Sequence, residues 1–235
     1  MTDPLQYEGD ELKLFQHAKH WKKYFSAQIQ PYIKGRVLEV GAGIGATTLL
    51  LNDGSVKEWI LLEPDKEMSA LLEKKMESGE LPANCLVQTG TIDQVNANFD
   101  TIIYIDVLEH IENDANELQK AASLLNTGGI IIVLSPAFNF LYNPFDKAIG
   151  HYRRYNKKML RIITPAGLTL KGMRYYDSTG FFAALMNKVF LRKKYPSQQQ
   201  VLFWDNWLVP VSTITDQLFF HSFGKSIIAV WNKPV

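Results

Sequence analysis

The sequence predicts an α/β fold with a doubly wound, largely parallel sheet, and three observations carry that reading. Short apolar runs with β-branched residues recur: "RVLEV" (36–40), "EWILLE" (58–63), "NCLVQT" (84–89), "DTIIYID" (100–106) and "GIIIVLS" (129–135). Runs of this kind, apolar throughout rather than alternating, suit strands covered on both faces. Helical stretches lie between several of them, as crossover connections require. Finally, "VGAGIG" puts Gly41, Gly43 and Gly45 directly after the first run, where a strand must turn sharply into a helix.

The first element is helical. In "ELKLFQHAKHWKKYFSAQIQPYI", Leu14, Ala18, Trp21, Phe25 and Ile29 recur at steps of three or four, giving a single apolar stripe. Pro31 and Gly35 punctuate its end, which defines a helical cap over 11–34. "DKEMSALLEKKMES" gathers Met68, Leu71, Leu72 and Met76 on one face, and "NDANELQKAASLL" gathers Leu118, Ala121, Ala122 and Leu125. Beyond Ser135 the alternation weakens. "PAFNFLYNPFDKAIGHYRRYN" is long, irregular and aromatic, which predicts a functional loop rather than a disordered one. A helix, "KKMLRII", a strand, "LTLKGMRYY", apolar stretches around 181–196 and 204–208, and a last strand, "SIIAVW", complete the chain. No repeat or second domain is visible, so residues 1–235 read as one domain, with insertions at about 137–160 and 180–220.

Composition bounds the function. The chain has 235 residues, 46% of them apolar and 21% charged, with a net charge of +1. That near-neutral balance predicts no nucleic-acid partner. The single cysteine, Cys85, lies in an apolar run and reads as buried and inert. "MTDPLQYEGDEL" is acidic and has no apolar core, so no signal peptide is predicted and the expected location is cytoplasmic. His17 and His20 lie three apart on the first helix, but no cysteine or carboxylate set completes a metal site, and no metal is predicted.

The glycine turn is the chemical centre. A bare backbone at a strand's carboxyl end, followed by a helix N-terminus, can receive a dinucleotide pyrophosphate, an amino acid carboxylate or a nucleoside. Glu63 ends the second strand, 22 positions beyond Gly41, where an acid can accept both hydroxyls of a ribose. These two signals alone suit NAD as well as any adenosine cofactor. Glu39 and Asp106 bear on the choice, since both are expected to face the same cleft. Added carboxylates repel a pyrophosphate and attract an ammonium and a sulfonium, which favours S-adenosyl-L-methionine. An NAD-dependent oxidoreductase and a non-catalytic S-adenosylmethionine-binding protein remain the alternatives.

"VLEVGAGIG", "LLEPD", "FDTIIYIDVLEHI" and "LNTGGIIIVLSP" resemble, in order, the motifs of class I S-adenosylmethionine-dependent methyltransferases over about 36–136. "FDKAIGHYRRYNKKML" and "FGKSIIAVWNKP" resemble a bacterial subgroup of that family whose substrates are mostly unassigned. The resemblance implies a seven-stranded sheet with the last strand antiparallel, and S-adenosyl-L-homocysteine as product. It places Gly41, Gly43 and Gly45 against the methionine part, helped by Glu39, and Glu63 on the ribose. Pro64 and Asp65 fall beside the adenine, and Asp106 and Val107 line the methionine end. Many relatives carry "GDA" after the third strand. Here Gly90-Thr91-Ile92-Asp93 stands in its place, so Thr91 and Ile92 are the corresponding adenine contacts.

On the acceptor side, His151 is the candidate base because histidine titrates near neutral pH. Tyr152, Arg153 and Arg154 are candidate substrate contacts, with one arginine expected to pair internally with Asp146 or another carboxylate. The acceptor reads as a small molecule or a lipid- or glycan-linked group, methylated at oxygen. "FFAALMNKVFLRKK" (181–194), ending on Arg192, Lys193 and Lys194, reads as a cap helix in preference to a lipid-surface contact.

Overall fold

The computed structural model describes residue 15 and residues 17–188 and 196–235. Leu14 of the predicted stripe and the Arg192–Lys194 cluster lie outside the described residues. Seven strands form one sheet: β1 (Arg36–Val40), β2 (Glu58–Glu63), β3 (Cys85–Thr89), β4 (Phe99–Ile105), β5 (Leu125–Pro136), β6 (Thr169–Tyr176) and β7 (Ser226–Asn232). Their spatial order is β3-β2-β1-β4-β5-β7-β6. β1 pairs in parallel with both β2 and β4, β2 with β3, and β4 with β5. β7 alone runs antiparallel, inserted between β5 and β6. The expected doubly wound sheet with an antiparallel last strand is therefore present.

The chain winds outward from β1 through β2 to β3, then returns to start again at β4. The two directions separate between β1 and β4, and a cleft opens there beyond the strands' carboxyl ends. Both faces of the sheet are covered, which is why the strands lack polar alternation. On one face Leu38, Val40, Leu62, Ile102 and Tyr104 pack with Leu118 and Ala121 of helix α4 (Asp114–Ser123). On the other, Val37, Trp59, Leu61 and Ile103 pack with Trp21, Phe25 and Ile29 of helix α1 (Lys19–Ile29). The stripe predicted for α1 is the face it buries. Helices α2 (Ala46–Leu51) and α3 (Lys66–Glu77) follow β1 and β2. The predicted second crossover helix stops two residues early, at Ser123, because Leu125 already begins β5.

The chain beyond β5 is more helical than the sequence suggests. Short helices α5 (Pro144–Ala148) and α6 (Lys157–Ile162) precede β6, and α7 (Ser178–Met186) follows it. From Gln198 to Leu218 the backbone stays helical through α8 (Gln198–Phe203), a π segment (Trp204–Leu208) and α9 (Val209–Leu218). Pro210 has no amide hydrogen, and the wider π turn sits where its missing bond would fall. Two buried acids tie this unit to the rest. Asp205 accepts from the His20 and Trp21 amides (3.0 and 2.8 Å), capping α1, and Asp216 accepts from the Asp177 and Ser178 amides (2.7 and 2.8 Å), capping α7.

Candidate active site

Gly41, Gly43 and Gly45 all adopt positive φ, at 67°, 56° and 79°. A Cβ on Gly41 would stand 2.7 Å from a Val107 methyl, so the turn passes against Val107 only because no side chain intervenes. The Gly41 and Ala42 amides donate to the Leu62 carbonyl (2.8 and 3.2 Å), holding the turn to the end of β2. Glu63 completes that link. Its Oε2 accepts from the Gly43 amide at 2.7 Å and its Oε1 from the Asp65 amide at 2.9 Å. Burial raises its pKa, and these two bonds oppose the rise.

Asp65 caps α3, accepting from the Glu67 and Met68 amides; Pro64 is half-buried beside it. Thr91 is exposed and forms a capping box with Gln94. The Ile92 side chain is packed into the core.

The Glu39 carboxylate is buried, with Oε2 accepting from Thr48 Oγ1 of α2 and from Trp59 Nε1 of β2, both at 2.7 Å. Burial outweighs these bonds and pushes its pKa up to about 7. It therefore anchors the start of α2 behind the glycine turn. Asp106 lies just past the end of β4. It is exposed and held at φ 54°, a conformation costly for a non-glycine residue, while its amide donates to the Leu134 carbonyl at 2.9 Å. Crowding by protein lifts its pKa to about 6 against the opposing pull of His151 and Lys225.

His151 lies in a buried polar cluster. Its Nδ1 is 2.9 Å from Asp146 Oδ1 and its Nε2 is 3.8 Å from Glu109 Oε1. Burial opposes ionisation of Asp146, but the His151 and Arg154 bonds together hold its carboxyl below the usual range. An ionised carboxylate only accepts, so the Nδ1 facing Asp146 carries a hydrogen. Glu109 is held by Ser135 Oγ at 3.0 Å; burial, then Asp106, raises its pKa well above normal. The ring of His110 meets His151 edge-on at 4.6 Å, and burial followed by His151 lowers its pKa to about 4. Glu109, His110 and His151 each bring one potential ligand atom within 4.8 Å of the others.

Both arginines bind acids within the protein. Arg154 is buried and grips Asp146 through Nε at 2.8 Å and Nη2 at 2.9 Å. Arg153 pairs with Asp114 at 2.6 Å and with the Glu112 carbonyl. The expectation that one of the two pairs internally thus holds for both. Tyr152 remains exposed. Sequence reading missed Glu109 and Lys225. The Lys225 ammonium sits 4.0 Å over the Trp204 ring and 5.8 Å over Phe15, joining Phe15 and the π segment to the residue that precedes β7. A lone lysine in "FGKS" gives no periodic signal that would have singled it out.

A family model described as "Methyltransferase domain" matches residues 12–185, and the chain belongs to that family. Solved structures share its fold. One is a Haloferax volcanii protein in complex with the Trm112 methyltransferase activator, 14% identical, with a TM-score of 0.65 over 98% of this chain and 99% of that one. Another is coclaurine N-methyltransferase bound to N-methylheliamine and S-adenosylhomocysteine, 14% identical, with a TM-score of 0.61 over 92% and 72%. A third is an S-adenosylmethionine-dependent methyltransferase of Clostridium acetobutylicum, 13% identical, with a TM-score of 0.58 over 97% and 96%. No curated protein matches by sequence.

The chain is an S-adenosylmethionine-dependent methyltransferase. The residues present fit that cofactor: a glycine turn that a single Cβ would block, a carboxylate at the end of β2, and an exposed Asp106 at the end of β4. The oxidoreductase alternative falls with the family assignment.

Proposed function

We propose that the enzyme methylates an oxygen of a small-molecule or lipid- or glycan-linked acceptor, with His151 as general base. The observation that supports this reading is the Asp146–His151 contact at 2.9 Å, which holds the ring with Nδ1 toward Asp146 and Nε2 turned to the other side. The cofactor supplies an electrophilic methyl on a sulfonium. Gly41, Gly43 and Gly45 admit its methionine part, Asp106 attracts its ammonium, and Glu63 accepts its ribose hydroxyls. Pro64, Asp65, Thr91 and the backbone of Ile92 border the adenine, and Val107 walls the methionine end. His151 Nε2 takes the acceptor's hydroxyl proton as the oxygen attacks. Arg154 acts one step back, positioning Asp146. Tyr152 is the substrate contact at the rim, while Phe15 and Trp204 exclude water.

The test is a screen of metabolite and lipid extracts with the purified enzyme and methyl-labelled cofactor. Label in an ether or ester, lost with His151→Ala, supports the reading. Label on nitrogen or carbon, or full activity of His151→Ala, refutes it.

A further inference from the structure

Lys225 is a cation that the mechanism above leaves unused, and the fold brings it to the site. β7 is antiparallel to β5, so the start of β7 meets the carboxyl end of β5, with Ser226 opposite Pro136. The Ala137 amide donates to the Lys225 carbonyl at 2.8 Å, and the Lys225 amide donates to the Asp177 carbonyl at 3.0 Å. Two residues before Pro136, the Leu134 carbonyl accepts from the Asp106 amide. Lys225 and Asp106 thus share one edge of the sheet, and each acts on the pKa of the other. A Cβ on Gly224 would overlap the Tyr176 carbonyl, so the chain can enter β7 here only through a bare residue.

Rings, not an acid, hold the side chain. Its ammonium lies over the Trp204 and Phe15 rings. Trp204 is fixed in turn, because its Nε1 donates to Asp177 Oδ2 at 2.7 Å and Phe15 meets it edge-on at 6.1 Å. Asp177 pulls on Lys225 more than any other acid does, yet its oxygens are taken by Trp204, by Ser212 Oγ at 2.8 Å and by the Gly180 amide at 2.9 Å. Among the described residues no carboxylate forms an ion pair with Lys225, and nothing accepts a hydrogen bond from its Nζ. A π face satisfies one side of an ammonium, but three N–H donors away from bulk water call for an oxygen. Arg154 adds a further donor. Its Nη1 is buried with no hydrogen-bond partner among the described residues. Burial lowers the Lys225 pKa, Asp177 opposes this, and the nearby Arg154 charge adds to it. Two neighbouring cations with donors to spare favour an anion between them.

The surrounding acids limit how much negative charge fits. Asp177, Asp106 and Asp146 all act on Lys225. A phosphate monoester would bring close to two negative charges among these carboxylates. A carboxylate brings one, with two oxygens for Nζ and Nη1.

We propose that Lys225 binds a carboxylate of the methyl acceptor, so that the acceptor is an acid. Lys225 is then a specificity-determining residue. It holds the acceptor by its charged end against Trp204 and Phe15, with Asp106 and His151 beside it. This deepens the acceptor reading above and rests on it only in taking the acceptor to be a metabolite or a lipid- or glycan-linked group.

The test uses the metabolite and lipid extract with methyl-labelled cofactor, split at neutral pH on an anion exchanger. Wild-type enzyme should label the retained fraction. Capping carboxylates in that fraction with methylamine and a carbodiimide should abolish labelling, and phosphatase treatment should leave it unchanged. Lys225→Met keeps an apolar stem on Trp204 without the charge. It should raise the apparent KM for the retained fraction at least roughly tenfold, the scale of a lost hydrogen bond to a charged group, with kcat changed far less. Lys225→Arg should recover most of the loss. Labelling confined to the unretained fraction overturns the proposal, as does labelling that survives capping or is lost with phosphatase. So does a Lys225→Met enzyme that titrates like wild type, or a Lys225→Arg enzyme as impaired as Lys225→Met. Calorimetry with S-adenosylhomocysteine is run on each variant, and a loss of cofactor affinity equal to the loss of labelling assigns Lys225 to the cofactor instead. Label found on nitrogen or carbon would sink the oxygen reading and leave the retained fraction and the Lys225 effect unchanged.

Discussion

Glu63 Oε2 accepts a hydrogen bond from the Gly43 amide at 2.7 Å, so the acid that ends β2 and the glycine turn that follows β1 form one rigid rim. Each Glu63 oxygen is already held by one backbone amide, and each retains a lone pair. The carboxylate is thus oriented before a ribose arrives, with less left to order on binding. Replacing Glu63 by Ala should weaken S-adenosylhomocysteine binding by about 1–3 kcal/mol, the scale of hydrogen bonds to a charged group. Calorimetry on both proteins reads this directly, and unchanged affinity removes Glu63 from the ribose.

Gly41 tests the other side of the rim. An added methyl would collide with Val107 at 2.7 Å and also suffer the left-handed backbone, a cost of about 1–2 kcal/mol. Gly41→Ala should therefore lose both stability and cofactor affinity. Val107→Ala in the same chain relieves the collision and not the backbone cost, so it should restore part of the loss. A double variant no better than the single one would show that the clash is not the cause.

Asp106 should impose a pH dependence on cofactor binding. Its pKa of about 6 means the carboxylate that attracts an ammonium forms as pH rises through 6. Affinity for S-adenosylhomocysteine should increase between about pH 5 and 7 and then level off. Asp106→Asn should flatten the profile at the low-pH affinity. A wild-type profile that is flat over this range contradicts the assignment.

Glu39 makes the opposite mark, on stability. Burial raises its folded-state pKa to about 7, above an ordinary carboxyl. Folding thus favours the protonated form. This contribution is fully present below about pH 4.5 and is lost as pH rises through 7. The span is on the order of 3 kcal/mol, from the size of the shift. Glu39→Gln keeps an acceptor for Thr48 and Trp59 without the charge, so its denaturation midpoint should gain on wild type as pH rises from 5 to 8. A constant difference between the two proteins would refute this.

The Asp146–His151 pair predicts a separation of turnover from binding. His151→Ala should lower kcat by roughly 10²–10⁴-fold, the range of general-base catalysis, with cofactor affinity unchanged. Asp146→Asn should lower kcat less. The same Glu109, His110 and His151 atoms are close enough to hold a cation, and a proton-transfer role for Nε2 predicts that activity survives a chelator. Loss of activity with EDTA, restored by a divalent ion, would instead make His151 a metal ligand.

Much of this was readable from residues, and the limits have physical causes. The strands from Arg36 to Ser135 were legible because burial on both faces writes itself as unbroken apolar runs, and the glycine turn because only glycine fits its φ values. The antiparallel direction of the seventh strand came from the family resemblance; its place between β5 and β6 was not read, because no local pattern encodes strand order. The 198–218 helix was obscured because its outer face is apolar while its buried face mixes Trp204 and Val209 with Asp205, Ser212 and Asp216, and because a π segment and Pro210 blur the 3.6-residue period. The partners of Glu39 were not legible because a strand's end fixes a side chain's face but not what it bonds, and Thr48 and Trp59 lie nine and twenty positions away. The pairing of Arg153 with Asp114 crosses about forty residues and left no trace in spacing.

The most direct measurement is a crystal structure of the chain with S-adenosylhomocysteine. The account predicts ribose hydroxyls within hydrogen-bond distance of Glu63, the amino acid end between the glycine turn and Asp106, and the sulfur facing His151 across open space. Cofactor density away from Glu63, or a sulfur turned from His151, would contradict it.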